Sequence, residues 1–388
     1  MRAALALACA FTARASWTRK TRARGGAAAR ACQEEPALAS ISKAFSTDEC
    51  ARILALFDDA TEEVDRRDAL GISRRNRWLA KDVINSKKFR WVAERLLTRL
   101  PGVTAATDAA AFLRSHVEFV LLHEFREGDF FDWHVDAKPD DGKARTTNIN
   151  VVLSAADAFA GGELQVGSAN ASLELGDLHA YPASLPHKVH DVTRGRRYTL
   201  VVATRTEGSS AGAAYWDAAR RDLERLAADL GAAHPKLYWI LGEFFEGTRD
   251  PDAARRAFAA SYRATPQRAQ YARTFADSAA EKHGIGDLEG AAEDLRMATL
   301  IEPADAEFRM DLGVVLWRRG ALADAEVQLR AALEHGGPEA AVRAGLSLVL
   351  TDAGDAPGAA NEREKALGAG ADDARGAFEA LEGLRGET

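Results

Sequence analysis

The sequence predicts an α+β domain followed by an all-α repeat domain. Three observations carry this. Two amphipathic helical segments come first, and short strand-like runs follow from about Val117 to Arg205. The remaining chain is alanine-rich and repeats itself. Helices followed by strands argue for α+β rather than a wound parallel sheet. Many short strands at roughly 8–12-residue spacing suggest a β-sandwich or jelly roll.

The chain has 388 residues, 47% hydrophobic and 28% charged, which suits about two globular domains. Its formal net charge of −7 gives no overall basic field for nucleic acid. No apolar run approaches the ~20 residues of a membrane span. Cysteine is confined to Cys9, Cys32 and Cys50, which allows neither a disulfide framework nor a thiolate zinc site.

Residues 1–33 carry Arg2, Arg14, Arg19, Lys20, Arg22, Arg24 and Arg30 and no acid; Glu34 is the first. A short apolar stretch, Ala3 to Phe11, has the form of a secretory h-region, and the Arg/Ser/Ala composition behind it has that of an organelle transit peptide. Residues 1–33 are therefore expected to be a removable targeting segment, directed to the endoplasmic reticulum or to a plastid or mitochondrion. The α+β domain is assigned to 34–207 and the helical repeats to 214–388, with a linker from Gly208 to Gly212.

Within the first domain, Ser46-Thr47-Asp48-Glu49 supplies an N-cap oxygen and first-turn acids, and Cys50, Ile53, Leu54, Leu56 and Phe57 follow at helical spacing. Asp68 to Asp82 is polar and arginine-rich and reads as a long loop. Phe89 to Leu100 is a second amphipathic helix stopped by Pro101-Gly102. Val117 to Phe125 begins the strands. Thr146 to Leu153 alternates around Ile149 and Val151. Glu163 to Val166 is expected to pair with Ser172 to Leu175 across a turn at 168–170. Leu178 to Tyr181 and Arg197 to Ala203 complete the set.

In the second domain, Ala254, Ala291, Ala325 and Ala359 stand at intervals of 37, 34 and 34 residues. Four residues after them come Phe258, Leu295, Leu329 and Arg363; seven after them come Ser261, Ala298, Ala332 and Ala366. Gly286, Gly320 and Gly354 mark a turn five residues before the last three alanines. The period is that of helix–turn–helix repeats, and the pattern resembles the tetratricopeptide repeat. Arg363 departs from the large apolar residue of the other units, as suits a terminal cap.

The chemistry gathers around Phe131-Asp132-Trp133-His134-Val135-Asp136. A histidine and an aspartate two apart share one side of an extended strand. An imidazole and a carboxylate so placed are two of three ligands of a facial triad, which leaves open positions on non-haem Fe(II). The third should be a histidine on a strand beside His134. His179, His187 and His190 are the candidates downstream, and His123 reads as a packed histidine. The odd spacing of His187 and His190 puts them on opposite faces, so both cannot serve one metal.

The run His187-Lys188-Val189-His190-Asp191-Val192-Thr193-Arg194-Gly195-Arg196-Arg197 bears a resemblance. With the upstream H-x-D, Gly161-Gly162-Glu163-Leu164 and Gly176-Asp177, it is similar to the 2-oxoglutarate, Fe(II)-dependent dioxygenases, most of all the prolyl 4-hydroxylase α-subunit branch. The likeness covers about Ser40 to Arg205. It implies a double-stranded β-helix (jelly roll) with flanking helices. It also implies an Fe(II) site at His134, Asp136 and His187 and a bidentate grip by Arg197 on the distal carboxylate of 2-oxoglutarate. The implied reaction uses molecular oxygen with L-ascorbate as reductant and hydroxylates a peptide or protein side chain, prolyl foremost. Two tyrosines usual in the branch are replaced by Phe125 and Phe131, and Asp191 stands where proline is usual. Thr199 or Thr147 is expected to supply the missing hydroxyl. Arg194 and Arg196 are the rivals of Arg197 and read as solvated. Trp78 and Trp133 could wall the substrate entrance or simply pack, and the basic run Arg74, Arg75, Arg77 and Lys81 reads as a solvated face, with contact to an acidic substrate the sharper alternative. The alternative function is an interaction scaffold: repeats for a protein partner, with an idle or sensory oxygenase domain.

Overall fold

A computed structural model describes residues 38–58, 63–68, 72–100, 108–139, 145–205 and 213–385. The expected targeting segment and the stop at Pro101-Gly102 lie outside them. No helix among the described residues is long and apolar enough to cross a membrane. In sequence the chain divides into two compact units, residues 1–254 and 255–388.

The first unit is built on one antiparallel sheet. Its strands are β1 (Ala39–Ile41), β2 (Glu63–Asp68), β3 (Ile72–Trp78), β4 (Val117–Arg126), β5 (Phe130–His134) and β6 (Arg145–Val152). They continue as β7 (Phe159–Gly161), β8 (Leu164–Val166), β9 (Ala169–Asn170), β10 (Leu178–Pro182), β11 (His187–Val189) and β12 (Val192–Arg205). The hydrogen-bonded order is β1-β10-β6-β12-β4-β3-β5-β11-β8-β9, with β2 on β3 and β7 on β12. Strands distant in sequence are therefore neighbours, and the sheet closes on itself: the Tyr181 ring of β10 lies 4.9 Å from the His187 ring of β11. This is the jelly roll that the short strands predict.

Period-2 alternation sorts the side chains of this sheet into two sets. Val120 and Leu122, Ile149 and Val151, Leu178, and Leu200 and Val202 pack in one core with Ile53, Phe57, Phe89, Val92 and Leu96 of the two leading helices. Those helices, Thr47–Ala55 and Lys87–Arg99, form where their amphipathic spacing predicts. Ser46 accepts from the Glu49 N–H and the Glu49 carboxylate accepts from the Ser46 N–H, a complete capping box. Truncating Ile53 or Leu96 in such a core costs about 2–5 kcal/mol. The intervening residues of the same strands, His123, Phe125, Asn148, Asn150, Tyr181, Arg197 and Thr199, face the other way, into the roll. β6 is buried along its whole length because both its faces are covered.

Two readings of the sequence are corrected here. Asp68 to Asp82 is not a long loop. Residues 72–78 form β3, bonded to β2 along one edge and to β5 and then β4 along the other, and a short helix, Lys81–Ile84, follows. The arginines hide the strand because their charged ends reach past the sheet while the backbone pairs inside it. Ser172 to Leu175 is not a strand. β8 instead pairs with Ala169–Asn170 across a tighter turn, in which Gly167 takes φ +56°.

The sheet ends at Arg205, near the change in composition, and the unit continues through the helices Ala213–Leu230 and Lys236–Gly247. The Tyr215 hydroxyl accepts from the Ser184 N–H at 3.3 Å and donates to the Thr146 carbonyl at 3.4 Å. Lys138 pairs with Glu243 at 2.6 Å.

In the second unit, helices pair as hairpins: Arg268–Gly284 with Leu288–Ile301, Ala306–Arg318 with Leu322–Glu334, and Glu339–Asp352 with Ala356–Ala369. The repeat alanines Ala291, Ala325 and Ala359 are buried. Gly286, Gly320 and Gly354 take φ of +81°, +79° and +83°. Each ends its helix with the same bond, Asp287 to Lys282, Ala321 to Leu316 and Asp355 to Leu350, all 2.9 Å. The left-handed residue each turn needs is what fixes glycine at these positions. Arg363 lies over the Phe378 ring at 4.4 Å, where the terminal helix Ala371–Arg385 covers the array.

Candidate metal centre

β5 and β11 pair so that His187 stands directly opposite His134, with ring centroids 4.1 Å apart. Asp136 lies just beyond the end of β5, not on it. Its N–H donates to the Ala183 carbonyl at 2.8 Å, which turns the carboxylate back toward the two rings. The ligand atoms of His134, Asp136 and His187 all lie within 4.8 Å of one another. His187 Nε2 is 3.5 Å from Asp136 Oδ2.

Both rings are oriented by the main chain. His134 Nδ1 is 2.8 Å from the Asp132 carbonyl, and His187 Nδ1 is 2.9 Å from the Leu185 carbonyl. A carbonyl only accepts, so each Nδ1 carries the proton and each Nε2 keeps its lone pair for a metal. Burial, with His187 beside it, holds His134 well below its ordinary pKa and thus neutral. For Asp136, burial pushes the pKa up, but the groups around it, His187 first, then His134 and Arg145, outweigh it and hold the carboxyl ionised. Asn148 Nδ2 donates to Asp136 Oδ2 at 2.6 Å, and Arg145, itself paired with Glu118 at 2.9 Å, lies 3.6 Å from Oδ1. Two imidazoles and one carboxylate on one side of a roll match the facial donor set of non-haem Fe(II).

Deeper in the roll lies Arg197, only 2% exposed. Burial lowers its pKa to about 10, and its Nε has no hydrogen-bond partner. The hydroxyl of Thr199, on the same face of β12, is also buried without a partner. Buried charge without a counter-ion is expensive, so this cage is shaped for an anion.

The rivals are held by other partners. His190 faces away and bonds Gln165 at 3.0 Å, and His179 is held between Ser40 and the Ser172 carbonyl. Thr147 shares the face of Ile149, away from the ligands. Arg194 bonds the carbonyls of Asp157 and Phe159, and Arg196 approaches Glu124 from the exposed side. Trp133 is fully buried on the reverse of β5, near His234 and Lys188, so it is no entrance wall. Trp78 packs on Phe119. Of the basic run, Arg74 reaches the site: it lies 3.7 Å over the Phe131 ring, which stacks on His134 at 3.4 Å. His123, opposite Thr199 in the register, is kept neutral by burial and by Arg74 and Arg197. Sequence reading missed Tyr181, Asn148, Asn150 and Arg145 as parts of the site. The parity of Asn148 and Asn150 against Ile149 and Val151 was the available signal.

Comparison with known proteins places this geometry. A family model described as the 2OG-Fe(II) oxygenase superfamily matches residues 120–205. A PKHD-type hydroxylase of Pseudomonas paraeruginosa is 32% identical over 175 residues, covering 42% of this chain and 75% of that protein. The chain belongs to the 2OG-Fe(II) oxygenase superfamily and is a 2-oxoglutarate-dependent dioxygenase. More particularly, it is similar to PKHD-type hydroxylases: that of Idiomarina loihiensis is 29% identical over 170 residues, 42% of this chain and 74% of that one. Another, from Cupriavidus pinatubonensis, is 38% identical over 87 residues, but the match spans only 38% of that protein's length. Among solved structures, a Pseudomonas putida prolyl-4-hydroxylase aligns with 45% of this chain and 94% of its own at 20% identity, TM-score 0.34. YrrB, a TPR protein with an unusual peptide-binding site, aligns with 43% of this chain and 84% of its own at 18% identity, TM-score 0.27.

Proposed function

We propose that this dioxygenase hydroxylates a peptide or protein side chain, prolyl foremost, and that its helical repeats hold the substrate or a partner protein. In this reading His134, Asp136 and His187 hold the ferrous ion. Arg197 forks onto the distal carboxylate of 2-oxoglutarate, which a guanidinium suits better than an ammonium, and Thr199 adds a hydroxyl donor. L-ascorbate serves as reductant. When bound, the metal and cosubstrate supply oxidative decarboxylation to succinate and carbon dioxide, coupled to oxygen insertion. The protein's own part is to orient the three ligands through the Asp132 and Leu185 carbonyls and Asn148, and to neutralise the cosubstrate's far charge. Phe125, Phe131, Tyr181 and Val189 pack together in one buried apolar cluster, which keeps water from the reacting groups.

The observation that carries the reading is the buried Arg197, its Nε without a hydrogen-bond partner, in the same roll as three convergent donor atoms. An idle scaffold gains nothing from a desolvated guanidinium, which weighs against the interaction-only alternative. The test is a peptide library incubated with the full chain, Fe(II), 2-oxoglutarate and ascorbate, read by mass spectrometry. A proline-containing peptide heavier by one oxygen is expected, absent with Asp136→Ala. Succinate formed without any oxidised peptide would sink the substrate assignment.

A further inference from the structure

We propose that Tyr181 is a cosubstrate-binding residue: its phenol donates a hydrogen bond to the bound 2-oxo acid, supplying a hydroxyl that Phe131 lacks. This rests on the reading of the site given above.

Tyr181 is 2% exposed, so no bulk water serves its hydroxyl. The oxygen accepts from Asn150 Nδ2 at 3.1 Å. Asn148 lies beside the phenol, but its Nδ2 donates to the ionised Asp136, which can only accept. A phenol whose oxygen accepts an N–H bond still owns one O–H to give. Nothing described receives that proton. The position is also right for a short diacid. The ring lies 4.9 Å from His187, at the metal end, and the charges of both Asp136 and Arg197 reach the phenol. A molecule that meets the metal with its 2-oxo acid end and Arg197 with its far carboxylate passes Tyr181. The Tyr181 hydroxyl, Thr199 Oγ1 and Arg197 Nε then make three buried donors on one face of the roll, each with a proton to give.

The test uses the full chain loaded with Zn(II) in place of iron, so that no turnover occurs, and measures 2-oxoglutarate binding by calorimetry. In Tyr181→Phe the dissociation constant is expected to rise about tenfold or more, as for a lost hydrogen bond to a charged group. Zinc affinity is expected to stay unchanged. A constant within about twofold of the parent overturns the proposal, as does a loss confined to Asn150→Leu, which would make the amide the donor. An independent readout needs no substitution. With 3-fluorotyrosine incorporated, one fluorine resonance of the buried tyrosines is expected to shift when 2-oxoglutarate is added to the zinc form, and no shift overturns the proposal. Failure of the parent protein to bind 2-oxoglutarate would instead defeat the assignment of the whole cage.

Discussion

Replacing Arg197 by methionine tests stability and function with one change. The guanidinium is 2% exposed, and burial lowers its pKa from 12.5 to about 10. At ~1.4 kcal/mol per unit, keeping it charged near pH 7 costs the folded state roughly 3 kcal/mol. Methionine fills much of the same space without the charge, so the ligand-free variant should be more stable than the parent. For a unit of this size that is several degrees, at about 2–4 °C per kcal/mol. The gain reverses when ligand is present. The lost charge-assisted bonds remove about 1.5–3 kcal/mol of 2-oxoglutarate binding, more than tenfold in affinity. The assay is a pair of melting curves with Zn(II), with and without 2-oxoglutarate. The transition that moves with zinc marks the unit that carries the site. The parent should gain on adding 2-oxoglutarate and the variant should not. A variant that melts below the parent without ligand and still gains fully with it would refute the reasoning, because Arg197 would then be a structural cation.

Three other outcomes follow from the coordinates. Asn148→Ala removes the 2.6 Å bond to Asp136 and should weaken metal binding about 10–100-fold, read by competition with a chromophoric chelator; an unchanged affinity would show that Arg145 alone orients the carboxylate. Burial holds His123, His134 and His179 below their ordinary pKa, so the unfolded chain takes up protons near pH 6.5 that the folded chain refuses. Stability of the metal-free protein should therefore be full above that pH and fall below it, by up to roughly 4 kcal/mol per pH unit. Urea titrations at pH 7.5 and 5.5 with equal midpoints would contradict this. Gly176→Ala should destabilise by about 2–4 kcal/mol, seen as a lower urea midpoint, because φ is +85° and the added carbon would meet the Phe45 carbonyl oxygen at 2.0 Å.

The cluster of His134, Asp136 and His187 was legible because its spacing is a consequence of strand pairing. His134 and His187 end up opposite one another when β5 and β11 hydrogen-bond, so H-x-D and a distant histidine read as one object. Alternation likewise set Ile149 and Val151 of β6 on one face, and that face backs onto the leading helices. The repeat period was visible because each turn demands a left-handed residue, and glycine stands at each. What stayed hidden depends on closure of the roll. Tyr181 sits among apolar neighbours on β10, and only the curvature that carries β10 over β11 gives its hydroxyl a role. Arg74 was masked by its own neighbours: Arg74, Arg75 and Arg77 look solvated until β3 is seen paired with β2 along one edge and with β4 and β5 along the other. Thr199 stands on the inward face of β12, while Thr147 stands on the face of Ile149.

The imidazoles of His134 and His187 are each tethered to the carbonyl two residues earlier in the chain. A backbone oxygen is present whatever side chain occupies its position. The aim of both rings therefore survives drift at nearly every neighbouring position, and the chamber around them is free to be redecorated. A sequence can thus trade one aromatic or amide for another along the wall and change what enters, while the ion keeps the same seat.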